Sequence, residues 1–520
     1  NTLFTSIATG QFGARLKAVD LDFFQISGCA KTPKYILIDE FSDITLENAE
    51  PIWKNNVLEA DKWLRGKHGA NSSIAVIGTS AVNQVTYAGV AVDKIHFFRR
   101  GGLGAVLASK NIKAIVITET PEIRELEWLS HEYIDQFNKA IESSTWYNML
   151  HNRGTFSIIF SVIDNKALPA KNCSRLLQLA QEKISSFKGY GESLQCWQCP
   201  VQCQRSSYQD FVALGPNLKI VDLESIQEAI ETCDQEALDP LSTGAALASL
   251  FNIQEDRRKL LDIDLGFSWS NPTIYSLIEK IISREELGDQ LSRGEIYLYQ
   301  QTSEPSPMTK SQIAGMYYFP NILGVSLASS TSPYGADNFR SDYMIFPELL
   351  GLPFKLNPIA KKGKIKTIIL LENLIAVVDS LVLCSRYLPF FLQIRQRFRW
   401  IPPNLFNNLV NLIPDIFIGN FGLELNILQP LLRNTLEGLT FNKIKEIGNR
   451  ITLLERIFNT RAGMAREEDR FPKFLQKRPD FFKVHEELLN EYYSHKGLTQ
   501  KGLVNKQTLK KSGLLGLVTI

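Results

Sequence analysis

Three short apolar runs near the start of the chain, Tyr35-Ile-Leu-Ile-Asp39, Ser73-Ile-Ala-Val-Ile77 and Lys113-Ala-Ile-Val-Ile-Thr118, have the length and β-branched content of strands. Between the first two, Glu50 to Gly66 sets Trp53 and Leu58 among Glu, Asp and Lys, with Pro51 in the first turn, and predicts a helix. Beyond Pro121 the apolar positions fall at helical spacing, as in Ile123–Ser143, Arg175–Phe187 and Leu223–Cys233. The polar segment Gln300–Lys310 carries Pro305 and Pro307, which oppose both helix and inner strand and mark a linker. The pattern predicts an α+β chain: a β-rich N-terminal domain over 1–120, then two mainly α-helical domains over 121–305 and 306–520.

Composition narrows the function classes. Of 520 residues, 44% are apolar and 22% charged, which excludes disordered, collagenous and coiled-coil chains. Lys plus Arg number 57 against 55 Asp plus Glu, so no basic surplus draws the chain to nucleic acid or acidic lipid. The basic run Lys361–Lys366 and the group Arg395, Arg397, Arg399 and Trp400 lie in no nucleic-acid-binding motif and read as a solvated turn and a charged helix face. Ile365 to Cys384, the most apolar stretch, contains Lys366, Glu372, Asn373 and Asp379, and a membrane span needs about 20 nearly uncharged residues. With seven cysteines, an odd number, and no signal-peptide pattern, a reducing, cytoplasmic setting is expected.

Two features carry candidate chemistry. Cys196-Trp-Gln-Cys199-Pro-Val-Gln-Cys203 places three thiols in eight residues, close enough to converge on one soft metal centre whose fourth ligand comes from elsewhere. Iron–sulfur ligation, zinc and unrelated buried thiols all stay open on this spacing; radical S-adenosylmethionine enzymes have the reverse order of gaps. Cys29, Cys173 and Cys233 stand alone and read as small core residues. The second feature is an echo: Asp234-Gln-Glu-Ala-Leu-Asp239 and Asp379-Ser-Leu-Val-Leu-Cys384 share Asp, three residues, Leu, then Asp or Cys. By itself this reads as helix starts or solvated carboxylates.

Several segments, in order, together resemble the aldehyde ferredoxin oxidoreductase family. Arg100-Gly-Gly-Leu-Gly104 through Ala114 looks like its glycine-rich segment, Cys196–Cys203 its cluster motif, and the two echoes its pterin motifs. Ile457-Phe-Asn-Thr-Arg461 and Glu491-Tyr-Tyr493 through Gly497 look like its C-terminal helices. The resemblance implies a tungsten (or molybdenum) bis-pyranopterin and one [4Fe-4S] cluster, oxidation of a small aldehyde-like substrate to the acid, ferredoxin as electron partner, and a homodimer. It implies Cys196, Cys199, Cys203 and Cys384 as cluster ligands. It also implies Asp234, Leu238, Asp239, Arg340, Asp379 and Leu383 as pterin contacts, with Arg100 and Gly101 in a backbone cradle for pterin phosphate. A buried carboxylate suits the guanine-like edge of a pterin, from which it accepts two hydrogen bonds. Leu107 stands where a dinucleotide fingerprint has its third glycine, which disfavours NAD.

Departures from the family pattern are as informative. Gln209 and Asn338 stand where a Glu and a His are expected near the metal, and neither exchanges a proton near neutral pH. The glycine expected in each pterin motif is Ala237 or Val382, and Phe97, Phe98 and Arg99 replace small residues before Arg100. The family's intersubunit iron motif, Glu-x-x-His, is here Glu228 and Glu231. Asn1 aligns inside the family's first domain, so a partial N-terminal pterin-binding domain is expected. The alternative function is a catalytically degenerate relative acting as an iron–sulfur electron-transfer or structural subunit.

Overall fold

The computed structural model describes residues 3–119, 131–171, 173, 175, 176, 187, 191, 193, 194, 196–252, 271–302, 306–337, 340–391, 402, 405, 408, 409, 440–470 and 478–517. The N-terminal part is built on a six-stranded mixed sheet: β1 (Lys34–Ile38), β2 (Ile44–Asn48), β3 (Ser73–Val76), β4 (Val90–Val92), β5 (His96–Phe98) and β6 (Ile112–Ile117), in the order β2-β1-β6-β3-β4-β5. Only β1 and β6 run parallel.

All of β3 and β6 is buried because both sheet faces are covered. Tyr35, Ile74, Val76, Ala114 and Val116 pack on Val57, Ala60 and Leu64 of the Val57–His68 helix, while Ile36, Ile38, Ala75, Ile115 and Ile117 join the main core. A register shift between Lys34/Ile112 and Ile36/Ile115 turns Ile112 to the main-core side. Lys113 is wholly buried beside it and donates to the carbonyls of Trp53 (3.2 Å) and Asn55 (2.8 Å).

The helix expected from Glu50 begins later. Pro51 opens a short 3-10 turn, Glu50–Ile52, and Asn56 then forms a capping box with Glu59, which starts the α-helix at Val57. Arg175 and Leu176 form a strand against Pro169–Ala170, because the intervening turn places Lys171 (φ 50°) and Cys173 (φ 59°) in left-handed conformations; 177–186 lie outside the described residues. The segment read as a linker ends the Gly294–Thr302 helix and then pairs Met308–Thr309 with Gln312–Ile313, its Lys310 buried against Asp469 at 2.7 Å.

The remainder is helical, so the chain is an α+β protein with a β-rich front followed by helices. Lys364–Ser380 is central: it packs on Phe441–Arg461, Pro479–Lys496 and Leu323–Thr331. Glu348 accepts from the N–H groups of Gly324 (2.8 Å) and Val325 (3.0 Å) at the start of Leu323–Thr331, and pairs with buried Lys364. The basic run at 361–366 is therefore not simply a solvated turn: Lys361 and Lys362 are exposed, whereas Lys364 neutralises an internal carboxylate. Among the described residues no helix is long and apolar enough to cross a membrane. Arg395, Arg397 and Arg399 lie outside the described residues.

Candidate functional site

The two echoes end helices, and the final Asp239 of the first also starts the next one. Asp234 sits in the last turn of Leu223–Gln235; Ala237 (φ 51°) then donates to the Asp234 carbonyl (3.1 Å) and Leu238 to that of Cys233 (2.7 Å). Asp379 sits likewise near the end of Lys364–Ser380, with Val382 (φ 57°) donating to Asp379 (2.9 Å) and Leu383 to Val378 (3.1 Å). Both are Schellman caps: the left-handed residue reverses the chain, and the following Leu turns inward. Such a cap explains the spacing, because the Asp lies three residues before the left-handed position and the final Asp or Cys two after it. Asp239 then caps the next helix, accepting from Leu241 N (3.3 Å), Ser242 N (3.3 Å) and Ser242 Oγ (2.5 Å).

A cavity of about 180 Å³ opens at the first of these ends, lined among others by Arg99, Arg100, Gln209, Asp234, Asp239 and Asp342. Arg99 bridges Asp210 and Asp234, and Arg205 also pairs with Asp234. Burial raises the Asp234 carboxyl above its usual range, and the two guanidinium groups pull the other way. Arg99 stacks on Phe97, 4.3 Å from the ring centroid, so two of the bulky departures work as a pair. At the second helix end Arg340 pairs with Asp379, binds Glu455 through both carboxylate oxygens (3.0 and 3.1 Å) and stacks on Tyr334. The first aspartate of each echo thus already receives guanidinium N–H groups.

Arg100 is buried and held by the Ile313 carbonyl and Asp239 (3.5 Å). Gly101 (φ 74°) has no room for a side chain, because a Cβ there would run into the Phe4 ring. Gln209 is on the Tyr208–Leu214 helix; its Oε1 accepts from Met316 N (2.7 Å), which leaves Nε2 to donate to Asp342 Oδ2 (2.9 Å). Tyr317 also donates to that oxygen (3.2 Å) and stacks on Tyr208. Asn338 lies outside the described residues.

Three of the four candidate thiols, Cys196, Cys203 and Cys384, gather around one cation. The Arg386 guanidinium hydrogen-bonds Cys203 and acts electrostatically on Cys384 and Cys196, and Cys384 in turn feels Cys203 and Cys196. Cys199 Sγ is 3.3 Å from the Tyr387 hydroxyl. Burial pushes the Cys384 thiol up to about 12, against the opposing pull of Arg386. Arg386 also lines the cavity, so thiols and cavity share a wall. Among the described residues no three His, Cys, Asp or Glu side chains stand in metal-ligating geometry. Glu228 and Glu231 are exposed, and Glu231 accepts from Gln227 (2.8 Å). Of the lone cysteines, Cys173 and Cys233 are buried as expected, but Cys29 is exposed in an irregular segment after Gly28 (φ 75°).

Sequence reasoning missed Arg386, Arg205, Tyr317 and Asp342. The first two had a signal: Arg386 follows Cys384 by two residues and Arg205 follows Cys203 by two, cations where thiolates would gather.

A cavity between a mixed sheet and helical layers, lined by arginines and aspartates and reaching Arg386 beside the thiols, defines an α+β fold with a candidate ligand site. The same fold occurs in the active site complex BamBC of benzoyl coenzyme A reductase, solved with 1,5 dienoyl-CoA: TM-score 0.72, 18% identity, 99% of this chain and 84% of that one. The profile for aldehyde ferredoxin oxidoreductase, N-terminal domain, matches residues 1–119, and that for domains 2 and 3 matches residues 132–514. The chain belongs to the aldehyde ferredoxin oxidoreductase family. It is similar to the tungsten-containing aldehyde ferredoxin oxidoreductases of Pyrococcus furiosus (30% identical, 97% of this chain, 84% of the relative) and Thermococcus kodakarensis (28%, 97% and 84%). It is also similar to the aliphatic sulfonate oxidoreductase, WOR-like subunit, of Pyrococcus furiosus (24%, 56% and 53%).

Proposed function

We propose that this chain oxidises an aldehyde to the corresponding acid at a tungsten or molybdenum bis-pyranopterin, with electrons leaving through a [4Fe-4S] cluster to ferredoxin in a reducing cytoplasm. The observation that carries the reading is the gathering of Cys196, Cys203 and Cys384 about Arg386, against the wall of a cavity that contains Asp234 and Asp239. The donor set fits the cluster: four thiols suit an iron–sulfur cube, and a buried cation offsets the negative charge of a thiolate-bound cluster. Tyr387 adds a polar partner for Cys199.

The pterin contacts fit in kind. Asp234 and Asp379 each accept guanidinium N–H groups, the kind of donor a pterin edge presents, although here arginines supply it. Arg340 would hold Asp379 in place through its grip on Glu455, while Leu238 and Leu383 would fix the turns behind the two carboxylates. The bound cofactor would supply two-electron chemistry at its metal. In the same reading Arg100 and Gly101 keep the glycine-rich segment packed beside the cavity, residues 1–120 contribute one wall, and the helical parts over 121–305 and 306–520 contribute the rest. A homodimer belongs to the proposal as a family trait.

Metal analysis of the purified chain tests it: about one tungsten or molybdenum per chain, together with aldehyde-dependent reduction of a dye, is expected. Arg99 on Asp234 and the non-titrating Gln209 favour a second reading, a degenerate relative that keeps only the cluster. Iron without tungsten or molybdenum would decide for that reading and against the first.

A further inference from the structure

We infer that Asp342 is the proton-exchanging group of the cavity, doing what its hydrogen-bonded neighbour Gln209 cannot, and that it works on water through the carboxylate oxygen left unpaired among the described residues. The inference rests on the oxidoreductase reading above.

Asp342 opens the short 3-10 turn Asp342–Met344, which brings it to the cavity within hydrogen-bond reach of the Tyr208–Leu214 helix. Its Oδ2 is fully engaged by Gln209 Nε2 (2.9 Å) and the Tyr317 hydroxyl (3.2 Å). Its Oδ1 is buried and has no hydrogen-bond partner among the described residues. A buried carboxylate oxygen without a partner among the described residues, on a residue that lines the cavity, is an unmet acceptor for a water or a substrate proton. Gln209 is a positioning residue here: with its oxygen tied to Met316 N, its amide can only donate, and it aims Asp342.

The groups facing Asp342 are Tyr317 and Tyr208, Asp337 on its own segment, and Arg100 from the glycine-rich segment. Burial pushes the Asp342 carboxyl up to about 8; the hydrogen bond from Tyr317 and the charge of Arg100 pull it down, and Asp337 pushes it up. Both tyrosines are held well above their usual range by burial, so they stay protonated and remain donors. Asp342 is therefore the group in this cluster that changes charge near neutral pH.

The balance is RCHO + H2O → RCOOH + 2 H⁺ + 2 e⁻. Water oxygen forms the new C–O bond and gives one proton to Asp342. The aldehydic C–H bond breaks, its hydrogen leaves as the second proton, and its electron pair passes to acceptors of the ferredoxin class. Activity rises with pH as Asp342 ionises.

Two measurements on the full chain test this. Infrared difference spectra between pH 6 and 10 should show a protonated carboxyl band that titrates near 8 in the wild type and is missing in Asp342→Asn. In metal-loaded enzyme, kcat/KM should rise through the same pH region; Asp342→Asn should remove that limb and lower kcat by roughly 10²–10⁴, with KM little changed. If Asp342→Asn fails to fold, Tyr317→Phe decides: losing one donor to the charged form should move both midpoints upward. Persistence of the band in Asp342→Asn, an unchanged limb in that variant, or unmoved midpoints in Tyr317→Phe would each overturn the inference. If the metal-loaded wild type turns over and Asp342→Asn matches it at every pH, this inference alone falls. A wild type with the band but without tungsten, molybdenum or aldehyde oxidation removes the underlying reading, and the inference with it.

Discussion

Val382 is the clearest case of a residue at odds with its backbone. It is left-handed at φ 57°, β-branched and 89% exposed, so no burial compensates a conformation that costs roughly 1–2 kcal/mol. Val382→Gly should raise stability by about 0.5–1 kcal/mol, since glycine's greater freedom in the unfolded chain returns part of the relief. A urea midpoint that falls would contradict the Schellman assignment. Arg99 poses a different question, because it holds the carboxylate a pterin would need. Arg99→Ala should increase the fluorescent oxidised pterin released from the purified chain by acid; a decrease would make Arg99 a cofactor contact instead of a competitor. His485 is buried beside Ser330, and burial lowers it to about 4. Its folded value lies below the unfolded one, so the stability it contributes is full above pH 6.5 and disappears as pH falls through about 4. Up to about 3 kcal/mol is at stake across that window. Denaturant titrations of His485→Gln should show a shallower acid loss across that window.

Helix-level structure follows from local chemistry wherever a cap is present. Asn56 and Glu59 stop the expected Glu50 helix from starting early, and the two Asp…Leu echoes end helices through one left-handed residue each. The contact between Lys364–Ser380 and Phe441–Arg461 is a different matter. Gly448 lets the two helices meet so closely that a Cβ there would strike the Asn373 carbonyl. Gly448→Ala gains about 1 kcal/mol of helix propensity but forces the helices apart, and a net loss of about 1–2 kcal/mol is expected. Equal or higher stability by urea unfolding would show that the contact yields.

At the scale of the molecule, the thiol group joins the 196–203 loop to the end of the Lys364–Ser380 helix. If a cluster forms there it is also a cross-link, and metal binding adds to folding stability. Cys384→Ser should drop iron from about four atoms per chain and lower the thermal midpoint, whereas Cys29→Ser should change neither. Equal iron in both variants would remove Cys384 from the ligand set.

Strand runs, helix periods, the helix-ending motifs and the crowding of three cysteines were all determined by the sequence, because period, φ preference and short spacing act over a few residues. The candidate cluster and pterin residues were suggested only by the family resemblance of those motifs, since spacing alone left their chemistry open. What the tertiary structure decided is who faces whom: Arg386 among the thiols, Arg99 on Asp234, and Asp342 bonded to Gln209 with its other oxygen unpaired among the described residues. Those pairings depend on loops and helices far apart in the chain being packed together around one cavity, and no local pattern encodes the distance between two such walls.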